Sequence, residues 1–305
     1  MRLRKRIVFD CDCTFGVENC DVDDGLALMY LFGCPEAEVL GVTAAYGNST
    51  QEVVLGSLGK LLADLGREDI PVKAGGTRAG AYESEAAYFL AEAAERYPGE
   101  LSILATGSLT NLMGAWKKDP SFFSKVKEII LMGGITEPLV FQKKIMNELN
   151  FSCDPTASLA VLTQGSLVSV ITGNNCLKVL FTKEDYKEHL FSTENPAAVY
   201  IRERTDYWFG YNENDYGIGG FYNWDVTAAV YLMHPELFSD NKRMFCLSEE
   251  DLKTGYLREL TKESGCRETD AAVSVLNLPV IKEGRAFKDN IYQTWMQVKM
   301  GEKKK

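Results

Sequence analysis

Asp10, Asp12, Asp21, Asp23 and Asp24 place five carboxyl groups within fifteen positions, in "IVFDCDCTFG" (7–16) and "DVDDG" (21–25). Two chemistries use such a spacing. An apolar strand running into Asp-x-Asp-x-Thr can present Asp10 as a nucleophile toward a phosphoryl group, with Asp12 as acid/base partner and Thr14 as phosphate contact. The same strand can instead bring carboxylates to a hard cation, with the acids at 21–24 completing the cage. Aspartates at a helix cap or first turn are favoured by free N–H groups and the helix dipole, so one or two of these acids read as caps. All five do not, because like charges so close raise one another's pKa and oppose folding unless a cation lies among them. Oxygen ligands without histidine favour Ca²⁺ or Mg²⁺ over zinc, and carboxylates joined by backbone carbonyls suit Ca²⁺ best.

The elements that must position these acids follow from the apolar pattern. Short β-branched runs at 6–10, 38–44, 101–106, 127–134 and 167–172 predict buried strands. Between them, 23–33 and 83–97 carry apolar residues at helical spacing with acids at their starts. This alternation predicts an α/β fold: a mainly parallel, Rossmann-like doubly wound sheet with helices on both faces, as one domain over 1–305. Asp10 and Asp12, "YGNS" (46–49), "TGSLTN" (106–111), "MGG" (132–134) and "TGNN" (172–175) all fall at strand carboxyl ends, so they are expected to converge on one crevice. Beyond about residue 176 the pattern is more helical and less regular. There the aromatic, Asn/Asp-rich stretch 204–225 reads either as a lid or substrate loop, or as an aromatic surface packed on a neighbouring helix.

Composition removes other classes. Hydrophobic residues at 46% and charged residues at 25% of 305 are those of an ordinary globular chain. A net charge of −10, without a basic block beside aromatic residues, argues against nucleic acid and anionic membrane surfaces as partners. No apolar run is long enough to span a bilayer, and the four-residue apolar stretch before Asp10 is too short for a secretory signal, so a cytoplasmic protein is expected. The eight cysteines form no Cys-x-x-Cys pair and most are expected to be reduced thiols. Cys11, Cys13 and Cys20 could ligate a soft metal, but with no histidine nearby the reading as small buried or loop thiols is preferred.

Asp10-x-Asp12, followed by Asp23-Asp24 and "GLAL", resembles the amino-terminal signature of the inosine-uridine-preferring nucleoside hydrolase family. The later segments "GVTAAYGNST" (41–50), "ILATGSLTNL" (103–112), "IILMGG" (129–134), "NELNFSCDPTA" (147–157) and "NWDVTAAVYLMHP" (223–235) follow in the family's order. The resemblance implies hydrolysis of the N-glycosidic bond of a ribonucleoside to free base and ribose with one Ca²⁺. The ligands it implies are Asp12, Asp24, the backbone carbonyl of Thr106 and Asp225, with Asp12 also the general base that takes a proton from the attacking water. It further implies that Asp23 and Asn150 hold ribose hydroxyls, that Glu148 contacts the 5′-hydroxyl, that Asn48 lies near the water and that Met132 lies against the sugar. A homo-oligomer, dimer or tetramer, is implied as well. Each residue also has a plainer reading: Asn48 and Asn150 as turn residues, Met132 as core, Asp225 as a helix cap, Glu148 as a solvated charge.

The leaving base is where the chain departs from its pyrimidine-active relatives, which have a histidine immediately before the last metal-binding aspartate. Here that residue is Trp224, and the two histidines, His189 and His234, lie elsewhere in the sequence. Tryptophan at this position resembles the purine-specific inosine-adenosine-guanosine branch, in which aromatic rings sandwich the purine. A purine preference is therefore expected, with Trp224 as one face and the second ring from Tyr82, Tyr88, Tyr207, Trp208, Tyr211, Phe221 or Tyr222. The first loop carries an insertion over 13–20, which leaves Asp21 without a role, and the family's asparagine before Glu-x-Asn has no clear counterpart. Two rivals remain: a haloacid-dehalogenase-like phosphatase using Asp10, which rests on "DCDCT" alone, and a nucleoside- or ribose-binding protein without turnover.

Overall fold

The computed structural model describes residues 4–261, 266 and 272–301. Ile7, Val8 and Phe9 are wholly buried, as expected of a strand covered on both faces, and form the centre of the strand Lys5–Cys11. Nine strands form the main sheet in the spatial order Arg258–Glu259, Lys242–Leu247, Ala272–Asn277, Val168–Ile171, Glu128–Met132, Leu101–Ala105, Lys5–Cys11, Ala37–Ala44, Val72–Ala74. Neighbours pair in parallel except around Lys242–Leu247, which runs against both of its partners. The sheet is therefore the mainly parallel one expected.

From Lys5–Cys11 the chain steps outward to Ala37–Ala44 and Val72–Ala74, then returns to the other side with Leu101–Ala105. Asp10 accordingly pairs with Thr43 on one side and Ala105 on the other. The order of strands reverses here, and the crevice beyond the carboxyl ends of Lys5–Cys11 and Leu101–Ala105 is where such a sheet takes its ligand.

Two apolar cores lie on the two faces of the sheet. One is covered by the helices Asp23–Gly33, Gln51–Asp64, Pro196–Tyr216, Trp224–Met233 and Gly284–Trp295, the other by Glu85–Arg96, Thr110–Lys118 and Pro155–Gln164. The strands expected from sequence agree with those observed to within two residues at each end. Lys242–Leu247 and Ala272–Asn277 were not anticipated, because the first half of each is partly exposed and lacks a continuous apolar run.

Of the two readings of 204–225, the loop does not hold for its larger part, which belongs to the 21-residue helix Pro196–Tyr216. Asn195 caps that helix through its side chain, Pro196 starts it, and Gly217 ends it in the left-handed conformation at φ 73°. Its Asn and Asp residues belong to a helix rather than to a flexible loop. Cys246 and Cys266 form a disulfide, and the other six cysteines are free, in line with mostly reduced thiols. No helix among the described residues is long and apolar enough to cross a membrane.

Candidate active site

Asp10 does not face the crevice as a nucleophile would. It is fully buried, and its Oδ1 accepts hydrogen bonds from Thr43 Oγ1 at 2.5 Å and Asn111 Nδ2 at 2.8 Å. Burial pushes its pKa up to about 7 against the pull of these two donors. Asp10 thus ties its own strand to the strand Ala37–Ala44 and the helix Thr110–Lys118, and the phosphatase expectation loses its nucleophile.

Asp12, two residues further on, is wholly buried as well and does not itself line the crevice; it is joined to the lining through Asn48. Asn48 donates its backbone N–H to Oδ2 at 2.6 Å and its side-chain amide to Oδ1 at 3.2 Å. Two glycines make room: a Cβ on Gly47 would lie 2.0 Å from Asp12 Oδ2, and one on Gly107 would press on Asp12 N at 3.1 Å. Burial raises the Asp12 pKa to about 6, opposed chiefly by the Asn48 N–H.

The other acids arrive on two helix starts. Asp23 and Asp24 open the helix Asp23–Gly33, whose N-cap Val22 provides no side-chain bond, so neither acid is a cap. Asp24 Oδ1 accepts from Thr106 Oγ1 at 2.7 Å, and Asp23 Oδ2 accepts from the backbone N–H of Asp225 at 3.0 Å. Asp225 sits in the first turn of Trp224–Met233 without capping it. Carboxyl oxygens of Asp23, Asp24 and Asp225 come within 4.8 Å of one another, the one such metal-competent grouping among the described residues. Asp12 hydrogen-bonds Asp24, and Asp23 is shared by Asp21 and Asp225. Burial first, and the neighbouring acids second, push the carboxyls of Asp21, Asp24 and Asp225 far above the usual carboxylate range.

Such a cluster needs positive charge, and the cavity above it has none of its own. It encloses about 280 Å³ and is lined by Asp21, Asp23, Asn48, Thr106, Met132, Glu148, Asn150, Trp224 and Asp225, with no Lys, Arg or His on its walls among the described residues. Oxygen ligands alone, with three carboxyl oxygens within 4.8 Å of one another, fit a hard divalent cation. Cys11 and Cys13 are buried beneath it, so no soft-metal site forms with Cys20.

One wall is aromatic. Trp224 packs against Tyr222 with ring centres 5.1 Å apart. Opposite the strand ends, Trp208 and Tyr211 stack at 4.5 Å with planes 11° apart, and both line the cavity together with Tyr216. Of the rings expected as second partners, Trp208 and Tyr211 are in place. Phe221 is buried in the core, Tyr88 is an exposed surface residue, Tyr82 leans toward Asp154, and Tyr207 and Tyr222 do not line the cavity. Tyr216 was missed; once 196–216 is known to be helical, its spacing from Asn212 and Tyr211 would have indicated it.

The remaining expected residues are present with added duties. Asn150 Nδ2 donates to the Met132 carbonyl at 3.0 Å, and Met132 is half-buried at the cavity wall rather than in the core. Glu148 is not a solvated charge: it accepts from the backbone N–H groups of Gly134, Phe151 and Ser152 at 2.8 to 3.1 Å. Both of its oxygens are committed to shaping the loop. Asp21, left without a role by the sequence, belongs to the carboxyl cluster. His189 stacks on Tyr292 and His234 pairs with Glu236, both away from the cavity.

The chain is built on a doubly wound sheet whose switch point holds a buried carboxyl cluster beside an aromatic wall. It belongs to the inosine-uridine preferring nucleoside hydrolase family, whose model matches residues 7–286. Among its relatives, uridine nucleosidase 1 of Arabidopsis thaliana is 30% identical over 81% of this chain and 87% of its own. The pyrimidine-specific ribonucleoside hydrolase RihA of Citrobacter koseri is 26% identical over 78% and 82%. Among solved structures, a plant nucleoside hydrolase superposes with a TM-score of 0.81 at 23% identity, covering 96% of this chain and 99% of its own. A purine-preferring ribonucleoside hydrolase from Gardnerella vaginalis gives 0.80 at 21% over 96% and 99%.

Proposed function

We propose that this nucleoside hydrolase cleaves the N-glycosidic bond of purine ribonucleosides, with one Ca²⁺ held by Asp12, Asp24, the Thr106 carbonyl and Asp225. The observation that carries the reading is the buried carboxyl cluster opening into a cavity with aromatic walls and no cationic side chain. When bound, the cation would lower the pKa of water and neutralise the cage.

Asp12 takes the proton from the water that attacks the anomeric carbon, and Asn48 fixes the orientation of its carboxylate. Asp23 and Asn150 receive ribose hydroxyls, Met132 supports the sugar, and the 5′-hydroxyl lies on the Glu148 side. Positive charge developing on the ribose ring meets carboxylates already in place, which lowers the barrier to an oxocarbenium-like transition state. The base departs among the rings of Trp224, Trp208, Tyr211 and Tyr216, where stacking makes a purine ring nitrogen easier to protonate.

A second reading, uridine cleavage, comes from the names of the relatives at 26 to 30% identity. The absence of histidine from the cavity walls favours purine, since a pyrimidine leaves poorly without an acid at hand. Base release from inosine, guanosine, adenosine, uridine and cytidine in parallel, with Ca²⁺ supplied and products separated by chromatography, decides between them. Purine release with little uracil or cytosine is the expected result. Equal cleavage of uridine discards the stacking argument, and no cleavage of any substrate favours a binding protein.

A further inference from the structure

The inserted loop 13–20 forms part of the cavity, and we propose that Asn19 at its tip is a specificity-determining residue that reads the polar edge of the base. The proposal rests on the reading that the aromatic side of the cavity takes the base. Asn19, Cys20 and Asp21 line the cavity together with Trp208, Tyr211 and Asn212.

The loop is held as a rigid element. Phe15 is buried at its start, with its carbonyl accepting from Ser57 Oγ at 2.9 Å. Thr14 Oγ1 closes the base of the loop by donating to the Asp21 carbonyl at 2.9 Å. Tyr207, on the helix beside Trp208, donates its hydroxyl to the carbonyls of Val17 and Cys20 at 3.0 and 2.8 Å, on either side of Asn19. Asn19 itself adopts the left-handed region at φ 60°, which asparagine tolerates better than most residues.

Of the other cavity amides, Asn48 is engaged with Asp12, Asn150 with Met132 and Asn212 with the Trp208 carbonyl. Asn147 is adjacent in sequence to Glu148. Among the described residues, no group hydrogen-bonds the Asn19 amide. A primary amide donates and accepts side by side, the pattern that matches a purine edge carrying an oxo or amino group. Tyr207 is the positioning residue for this contact.

The test compares wild type, Asn19→Gly, Asn19→Asp and Tyr207→Phe on inosine, guanosine and unsubstituted purine riboside, with thermal melts to verify folding. Glycine accepts the backbone conformation at residue 19 and removes only the amide. Loss of one hydrogen bond predicts that kcat/KM for inosine and guanosine falls about tenfold in Asn19→Gly, while purine riboside changes by less than about twofold. Asn19→Asp and Tyr207→Phe should shift the same ratio in the same direction. An active wild type whose ratio Asn19→Gly leaves unaltered overturns this assignment alone. A wild type that releases no base overturns the hydrolytic reading and this assignment with it.

Discussion

Both carboxylate oxygens of Asp12 are gripped by a single residue, Asn48, through its backbone N–H at 2.6 Å and its side-chain amide at 3.2 Å. Asn48→Ala removes only the second bond, leaving Oδ1 without this amide while the backbone N–H still holds Oδ2, so kcat should fall by about tenfold with little change in melting temperature. Asp12→Asn removes the proposed general base and should cost about 10²–10⁴ in kcat. Steady-state rates of base release, with circular dichroism to confirm folding, check both. Full activity in Asp12→Asn would remove the general base assigned here.

Gly47 is the second constraint on Asp12. A methyl group there would lie 2.0 Å from Asp12 Oδ2, so Gly47→Ala must displace the carboxylate or the turn that carries Asn48. Activity should drop at least as far as in Asn48→Ala while the distant cores stay intact. A variant with wild-type kcat would show that the turn relaxes freely.

Thr106 separates backbone from side-chain roles. Its hydroxyl donates to buried Asp24, whereas the proposed metal ligand is its carbonyl. Thr106→Ser keeps the donor and should be nearly silent. Thr106→Val keeps the shape and leaves Asp24 short of a partner, with an expected cost of about 1–3 kcal/mol in chemical denaturation. Equal stability of the two variants would argue that the hydroxyl contributes nothing.

Trp224 should matter to the base more than to the sugar. Trp224→Ala is expected to reduce kcat/KM for inosine by about ten- to a hundredfold, in keeping with base–aromatic stacking of about 1–3 kcal/mol. Trp224→Phe should recover part of the loss. If inosine and uridine decline equally, the ring supports packing rather than base recognition.

Cation removal should destabilise as well as inactivate. Dialysis against a chelator would strip the proposed cation from the cluster of Asp12, Asp21, Asp23, Asp24 and Asp225, and melting temperature should then fall. Returning Ca²⁺ at about 100 times its Kd should restore about 2.7 kcal/mol. Melts with Ca²⁺, Mg²⁺ and Mn²⁺ in turn rank the ions. A melting curve indifferent to all three would exclude a resident cation.

The strands and crevice were legible because buried parallel strands read as continuous apolar runs, and polar residues such as Asp12, Asn48 and Thr106 fall just past their ends. The segment holding Trp208 and Tyr211 was left open between a loop and a packed aromatic surface, since its Asn/Asp content conceals the helical spacing of its rings. Asp21 escaped assignment because a loop of eight residues separates Asp12 from it, and only folding shows that Tyr207 and Thr14 return that loop to the cavity. The duties of Glu148 were invisible for a related reason: its partners are backbone N–H groups, which carry no sequence signal.

The contact between Asp225 N and Asp23 Oδ2 spans 202 residues. In the order of synthesis, Asp12, Asp23, Asp24 and Thr106 all emerge well before the helix that begins at Trp224 can dock. Until then the growing chain has an incomplete and mutually repelling set of acids at the centre of its sheet, and closing a contact of such sequence separation is slow. Maturation of the catalytic centre is therefore a late event of folding. A truncated or stalled chain can hold most of its sheet and still lack a working site.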